Sequence, residues 1–332
     1  MINIRCPYCL KEISLNEAQT YKCSNPDCGE YIPRDFVEKR EIPRATVGLI
    51  GFRGHGKTTY ITSLFYLLKF FKTKWEGYYF LTLDDHTGNI IYEHVPQFEE
   101  KSSLPDGTPA NFPRPALIRF YKVPYFKDYF LSVYDTGGEV FTRTEQIMDQ
   151  GRFVAHSDTV LFIFSINDLG ERWSDNIEKL LDIYIRAVYD KMRVDLKKRQ
   201  HLIIVLTKAD TLKSTTPEKQ LSEELINYLD TGTYLEYLLI DDKYINKKLK
   251  YYSRIIKNWL KEKGCHGFIS AAEDNFKSVE YTIVSSTGAA PVGKKLAKKL
   301  EPQDPKRVLD PFLWILEKNR PKKLLEKLFG GR

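Results

Sequence analysis

The residues most capable of chemistry form one run. Gly51-Phe52-Arg53-Gly54-His55-Gly56-Lys57-Thr58 follows the pattern G-x-x-x-x-G-K-[ST]. Glycines in such a run let the backbone bend until successive N–H groups point inward at a phosphate. The cradle would extend from Gly54 through His55 and Gly56 to Lys57, Thr58 and Thr59, at the positive N-terminal end of the following helix. Lys57 would reach the β- and γ-phosphates of a nucleoside triphosphate, and the Thr58 hydroxyl would ligate Mg²⁺. An accidental match is the alternative. The placement of the run between a predicted strand and a predicted helix argues against it.

Three later segments add to this chemistry. Asp135-Thr136-Gly137-Gly138-Glu139 follows the apolar run YFLSVY. A carboxylate at that strand end can hold Mg²⁺ through water, and Gly138 can offer its N–H to a γ-phosphate. Taken alone, D-x-x-G is usually only a turn. Thr207-Lys208-Ala209-Asp210 matches [NT]-K-x-D after HLIIVL. The two oxygens of Asp210 fit the adjacent N–H donors on guanine's Watson–Crick edge, whereas adenine presents a ring-nitrogen acceptor there and is rejected. Lys208 would lay its stem over base and ribose. Ser285-Ser286, after the last predicted strand, could offer a backbone N–H to the guanine carbonyl. Ser270-Ala271-Ala272 competes for that role, but the run before it is too short for a strand.

Four of the five cysteines lie within residues 6–28. Cys6-Pro7-Tyr8-Cys9 is C-x₂-C, Cys23-Ser24-Asn25-Pro26-Asp27-Cys28 is C-x₄-C, and 13 residues separate the pairs. Four thiolates on two short turns can close a tetrahedron around Zn²⁺. About 40 residues with so few apolar side chains need such a staple to fold. With all four positions filled by protein, the zinc would be structural, in a ribbon or knuckle; redox-active dithiols are the alternative. An odd cysteine count in a chain expected to be cytosolic argues against a disulfide framework. Cys265 reads as a plain buried or loop cysteine. Over residues 1–40, 6 Lys/Arg oppose 6 Asp/Glu. A zinc tetrathiolate adds about −2, which disfavours phosphate binding by this module and favours protein docking.

These groups need a scaffold, and 332 residues suffice for one large domain with an appendage. Apolar runs predict strands over 45–51, 78–83, 116–121, 129–134, 159–165, 201–207 and 279–284. Helical spacing predicts helices over 58–71, 90–98, 177–188 and 245–260. A further helix opens at Thr216-Pro217-Glu218, with Thr as N-cap and Pro at the first helical position. A terminal helix opens at Asp310-Pro311. Residues 104–115 are rich in Pro and Gly and read as loop. Strands alternating with helices imply an α/β fold with a mainly parallel, six-stranded core sheet. The expected organisation is a zinc ribbon over 1–40, a large domain over 45–317 and a basic tail over 318–332.

Charge narrows the partners. Lys+Arg 51 against Asp+Glu 44 gives +7, and residues 291–332 alone hold 12 basic against 5 acidic, also +7. The remaining 290 residues are therefore neutral, which excludes a chain-wide nucleic-acid surface and leaves a local basic tail. Leu324, Leu325, Leu328 and Phe329 could form an apolar stripe beside Lys322-Lys323, for a membrane surface or a partner helix. A solvated helix packed on the core is the plainer reading. No run approaches the roughly 18 apolar residues of a membrane span, and the expected location is cytoplasmic.

The phosphate run, D-x-x-G, T-K-x-D and serine loop, in this order over about residues 45–288, resemble the translation-factor-related (TRAFAC) class of P-loop GTPases, which includes the Ras-like small GTPases. The cysteine module, the insertion before the Pro/Gly loop and the terminal helix with Pro311, Leu313 and Trp314 resemble, more narrowly, bacterial GTPases of the double-GTPase group. The resemblance implies a Ras-like fold, GTP/GDP and Mg²⁺ as cofactors, and a switch I threonine that binds Mg²⁺ and the γ-phosphate. Thr108, 27 residues before Asp135, is the best-placed threonine, with Thr87 its rival. Glu139 stands where a Gln usually orients the attacking water. A carboxylate there repels the γ-phosphate unless it is protonated or cation-paired, yet could act as a base. Arg53 replaces a small residue of the Ras-like loop. It, or Arg143, could offset transition-state charge as a built-in arginine finger; a solvated or salt-bridged arginine is the alternative.

Together these readings imply a Mg-dependent GTPase with Lys57, Glu139 and Arg53 as catalytic groups. It would act as a nucleotide-controlled switch that docks a protein partner through its zinc ribbon and switch loops. The competing readings are a GTPase acting on RNA or ribosomes, and a GTP-binding scaffold with negligible hydrolysis.

Overall fold

The computed structural model describes all residues except 1, 16–20, 101, 106, 111, 169–172, 214–219, 294, 297 and 322–332. A hairpin of β1 (Ile2–Arg5) and β2 (Glu12–Leu15) carries the first cysteine turn between its strands, and a short α1 (Arg34–Glu38) follows the second. Then come β3 (Arg44–Ile50), α2 (Lys57–Phe71), β4 (Tyr79–Thr82), α3 (Asp85–Glu99), β5 (Ala116–Val123), β6 (Lys127–Tyr134) and α4 (Thr144–Asp149). The second half runs through β7 (Thr159–Ser165), α5 (Trp173–Ile185), α6 (Leu196–Arg199), β8 (His201–Thr207) and α7 (Glu223–Thr231). It ends with α8 (Lys250–Glu262), α9 (His266–Asn275), β9 (Ser278–Ile283) and α10 (Leu309–Lys318).

Seven strands form one sheet in the order β4-β5-β6-β3-β7-β8-β9. From β6 to β9 every pairing is parallel, while β4 and β5 extend the sheet antiparallel. The fold is thus the expected mainly parallel α/β class, and its seven strands fall in the seven segments predicted as strands, a six-stranded core with one edge strand. The edge strand is β4, within the predicted 78–83, held there as Phe80 packs between Phe65 of α2 and Phe120 of β5, ring centroids 6.2 and 5.9 Å away.

The period of two along each strand divides the core. In β7, Leu161 and Ile163 face the side covered by α2, α3 and α10, while Val160, Phe162 and Phe164 face α5 and α9. Both faces being covered, β7 and β8 are buried at every position, which is why they read as uninterrupted apolar runs. Helix α3 begins at Asp85 rather than near residue 90, because the Asp84 side chain caps it by accepting from Thr87 N at 2.8 Å. Ser270 and Ala271 lie on α9, not at a strand end. Helix α7 is described from Glu223, capped by Ser222. The predicted start at Thr216-Pro217-Glu218 and the stripe Leu324, Leu325, Leu328 and Phe329 lie outside the described residues. Among the described residues, no helix is long and apolar enough to cross a membrane.

Two packing features bear on the site. The cysteine hairpin is seated on the sheet, with Ile13, Ile32 and Phe36 clustered against Leu117 and Phe130. At the other end, residues 304–310 strap the loop after β9: Ser285 N donates to Lys306 O at 3.0 Å and Lys306 N to Ser285 O at 2.8 Å. That strap is anchored by Arg307 and Asp310, both fully buried. Asp310 accepts from the hydroxyls of Tyr228, Tyr237 and Tyr244, and Arg307 donates to Glu236 Oε2 at 2.6 Å and to Thr231 Oγ1 at 2.9 Å.

Candidate nucleotide site

The parallel strands β3, β6, β7, β8 and β9 all end at one edge of the sheet, where open α/β sheets bind ligands. A cleft of about 820 Å³ opens there, lined by Arg53, Gly54 and the run from Gly56 to Thr59, by residues near Thr108 and Gly138, and by Lys208, Asp210 and Ser286. The sequence segments singled out above therefore converge. A second cleft, about 930 Å³ between α8 and β9 and lined by Lys247, Arg254 and Lys257, contains none of them.

At the phosphate run, Gly56 occupies the left-handed region, φ 84°, as the N-cap of α2. A residue with a Cβ would strain that turn. Lys57 is buried, its Nζ donating to Gly51 O at 2.8 Å and Phe52 O at 3.3 Å. Burial pulls its pKa below the usual lysine range, against the attraction of Asp135 and Glu139. The run packs directly on the D-x-x-G turn: a Cβ on Gly138 would lie 2.2 Å from Arg53 N.

Asp135 is the centre of a polar cluster. Thr58 and Thr108, their hydroxyl oxygens 2.7 Å apart, both donate to Asp135 Oδ2, at 3.1 and 2.8 Å. Asp135 Oδ1 is buried without a hydrogen-bond partner. Burial raises the carboxyl pKa, against Lys57 and the two hydroxyls. An orphaned carboxylate oxygen beside two hydroxyls is an all-oxygen donor set, which suits Mg²⁺. Thr87, the rival threonine, is buried at the start of α3, where its hydroxyl donates to Asp84 Oδ1 and accepts from Leu117 N at 2.8 Å.

The charged side chains at the cleft mouth pair with each other. Arg53 Nη1 lies 3.6 Å from Glu139 Oε1, with the arginine side chain 88% exposed, so the carboxylate has the cation neighbour that its position demands. Arg143 is exposed at the start of α4.

At the opposite end, Asp210 Oδ1 accepts from the Ser285 hydroxyl, which in turn accepts from Gly288 N at 3.0 Å. Ser285 N is committed to Lys306 O and is not free for the base contact expected of it. Lys208 is held at φ 59°, in the left-handed region that residues with a side chain seldom adopt. The Thr207 hydroxyl donates to His55 O at 2.7 Å, with Phe164 O 3.1 Å away as a second acceptor, tying the loop after β8 to the phosphate run. Thr59 lines the cleft.

The His55 ring turns away from the cleft. Its Nδ1 is 3.2 Å from Ile163 O and its Nε2 is 2.9 Å from Asp168 Oδ2. The hydrogen bond from His55 holds the Asp168 carboxyl below the usual range. Sequence reasoning missed Asp168 and the Ser285 hydroxyl, since neither belongs to a local pattern.

The family model for double-GTPase 2 matches residues 45–240. The chain belongs to the double-GTPase 2 family. The matched part of this double-GTPase contains the phosphate run, Asp135 and Asp210, and membership makes it a GTP-binding protein. The loop at Ser285 and the cysteine module lie beyond the match. No curated protein shows significant similarity to the chain.

The cysteine module has its own geometry. Sγ of Cys6 is 3.9 Å from that of Cys28, Sγ of Cys9 is 3.7 Å from that of Cys23, and all four lie within 4.8 Å of one another. A tetrahedron with metal–sulfur bonds of about 2.3 Å has edges of about 3.8 Å. The four thiols thus cluster as in a zinc ribbon and fit Zn²⁺. Burial pushes the Cys28 thiol up to about 11. Cys265 is buried in the core.

Proposed function

We propose that this double-GTPase hydrolyses GTP with Mg²⁺ and switches a protein interaction by doing so. What supports the reading is the meeting of Thr58 and Thr108, on the wall of the cleft that also holds Lys57 and Asp210, with Asp135 just behind them. Backbone N–H groups of residues 54–58 would grip the β-phosphate, and Lys57 would bridge β- and γ-oxygens. Thr58, Thr108 and Asp135 would hold Mg²⁺, which when bound neutralises charge on those oxygens. Gly138 N would meet the γ-phosphate, and Glu139 would orient or deprotonate the attacking water. Arg53, paired with Glu139 at 3.6 Å, would offset the charge that develops as the terminal bond breaks.

Thr108 and Gly138 then sense the γ-phosphate, and their segments, 104–115 and 137–152, change shape when it leaves. Residues 1–40 act as a zinc-ribbon docking unit, 45–317 as the GTPase domain and 318–332 as a tail. Tyr31, 62% exposed on the ribbon, is an aromatic anchor of the kind that protein interfaces favour. The site is tested by phosphate release from GTP in Mg²⁺ and in EDTA, for wild type, Lys57→Ala and Arg53→Ala. Release should fall at least about a hundredfold for Lys57→Ala. Release equal to that of Lys57→Ala in the wild type would mean a scaffold without turnover, and an unchanged single-turnover rate for Arg53→Ala removes that residue from the mechanism.

A further inference from the structure

Both cysteine turns hold one side chain of the proposed switch. Arg114 lies six residues after Thr108, its guanidinium stacked 4.5 Å from the ring centroid of Tyr8, inside the first turn. Its Nη1 donates to Glu30 Oε1 at 2.6 Å. Glu30 belongs to the second turn, because its carbonyl accepts from Cys23 N at 2.8 Å. Asp84 closes the ring, accepting from the Tyr8 hydroxyl at 2.9 Å and lying 3.7 Å from Arg114 Nη2.

The first turn also touches the second phosphate-facing segment. Pro7 O accepts from the hydroxyl of Tyr134, the residue just before Asp135. Between these two anchors the segments join directly, Gly137 N donating to Pro109 O at 3.0 Å.

We propose that the cysteine knuckle is a strut for the nucleotide site, and that Arg114 is a positioning residue for Thr108. The inference rests on Thr108 sensing the γ-phosphate. Two turns must be correctly spaced for Arg114 to stack on one and pair with the other, and the metal that the four cysteines fit would set that spacing. Holding Arg114 narrows the conformations open to the chain between it and Thr108, which lowers the entropic cost of placing the Thr108 hydroxyl. GDP gives Thr108 nothing to contact, so the strut favours GTP over GDP. Linkage then requires that GTP favour metal retention by the same factor.

Dissociation constants for a non-hydrolysable GTP analogue and for GDP, with Mg²⁺, test this on the full chain. Arg114→Ala should weaken the analogue about fivefold and leave GDP within about twofold. Glu30→Gln should repeat that selectivity, and Arg114→Lys, which keeps the ion pair, should recover part of it. Thr108→Ala is the control. If it shows no selective loss of the analogue, the switch reading itself fails and the strut with it. If Thr108→Ala is selective while Arg114→Ala and Glu30→Gln affect both nucleotides alike, only the strut is overturned. Zn²⁺ retention against a chromophoric chelator should be about fivefold greater with the analogue than with GDP, and the difference should vanish in Arg114→Ala. Equal retention in both states, including none in either, also overturns it.

Discussion

The replacement Asp210→Asn separates base recognition from every other contribution at the site. In the cleft, Asp210 is half-buried, and its Oδ1 is oriented by the Ser285 hydroxyl. Two N–H groups of guanine facing this carboxylate form two charge-assisted hydrogen bonds, each worth about 1.5–3 kcal/mol. Asparagine keeps one acceptor and turns an NH₂ toward a donor, so both bonds are compromised, at a cost of about 3–6 kcal/mol. Affinity for GDP should therefore fall by about two to four orders of magnitude, while ADP, which never made those bonds, stays within about threefold. Ser285→Ala leaves the carboxylate in place without its orienting donor and should cost about 1 kcal/mol, roughly fivefold. Calorimetric titration of GDP and ADP with Mg²⁺ into the three proteins reads all of this. GDP binding to Asp210→Asn within about threefold of wild type would refute the placement of guanine against this residue.

Two further outcomes concern stability. His201 is buried at the start of β8, with Nδ1 2.8 Å from Ser278 Oγ, and burial, followed by Lys277 and Lys318, depresses its pKa to about 4. As pH falls, the unfolded chain binds this proton first, near 6.5, so the neutral imidazole's stability is intact above 6.5 and lost down through 4, about 3 kcal/mol in all. Urea unfolding at pH 7 and pH 4 should show a shallower loss for His201→Gln than for wild type; parallel losses contradict the assignment. Asp310→Asn removes the buried charged acceptor of the Tyr228, Tyr237 and Tyr244 hydroxyls, and should destabilise the protein by about 1.5–3 kcal/mol. It should also weaken GDP binding, because the strap from Lys306 to Ser285 is anchored there. Denaturation curves within about 1 kcal/mol of wild type would show that the cluster does not anchor the strap.

The phosphate run, Asp135, Asp210 and the two cysteine pairs were legible in sequence because each is a local solution to a local problem. A turn at φ 84° before α2 needs glycine. Central strands covered on both faces read as unbroken apolar runs, and two turns of a metal site need closely spaced cysteines. The edge strand β4 was legible too, over 78–83, although its alternating exposure gives it a weaker signal than the fully buried β7 and β8. Other relationships became visible only in three dimensions. That Thr108 rather than Thr87 meets Thr58, that Ser285 spends its N–H on Lys306 and its hydroxyl on Asp210, and that Arg53 pairs with Glu139 are contacts across 21 to 86 residues of chain. No spacing rule encodes them. The grip of the cysteine turns on Arg114 is of the same kind. Sequence determined which residues had the chemistry, because backbone geometry and burial constrain residue type position by position. Tertiary structure decided which of them meet, because that depends on how helices and loops from distant segments pack at one edge of the sheet.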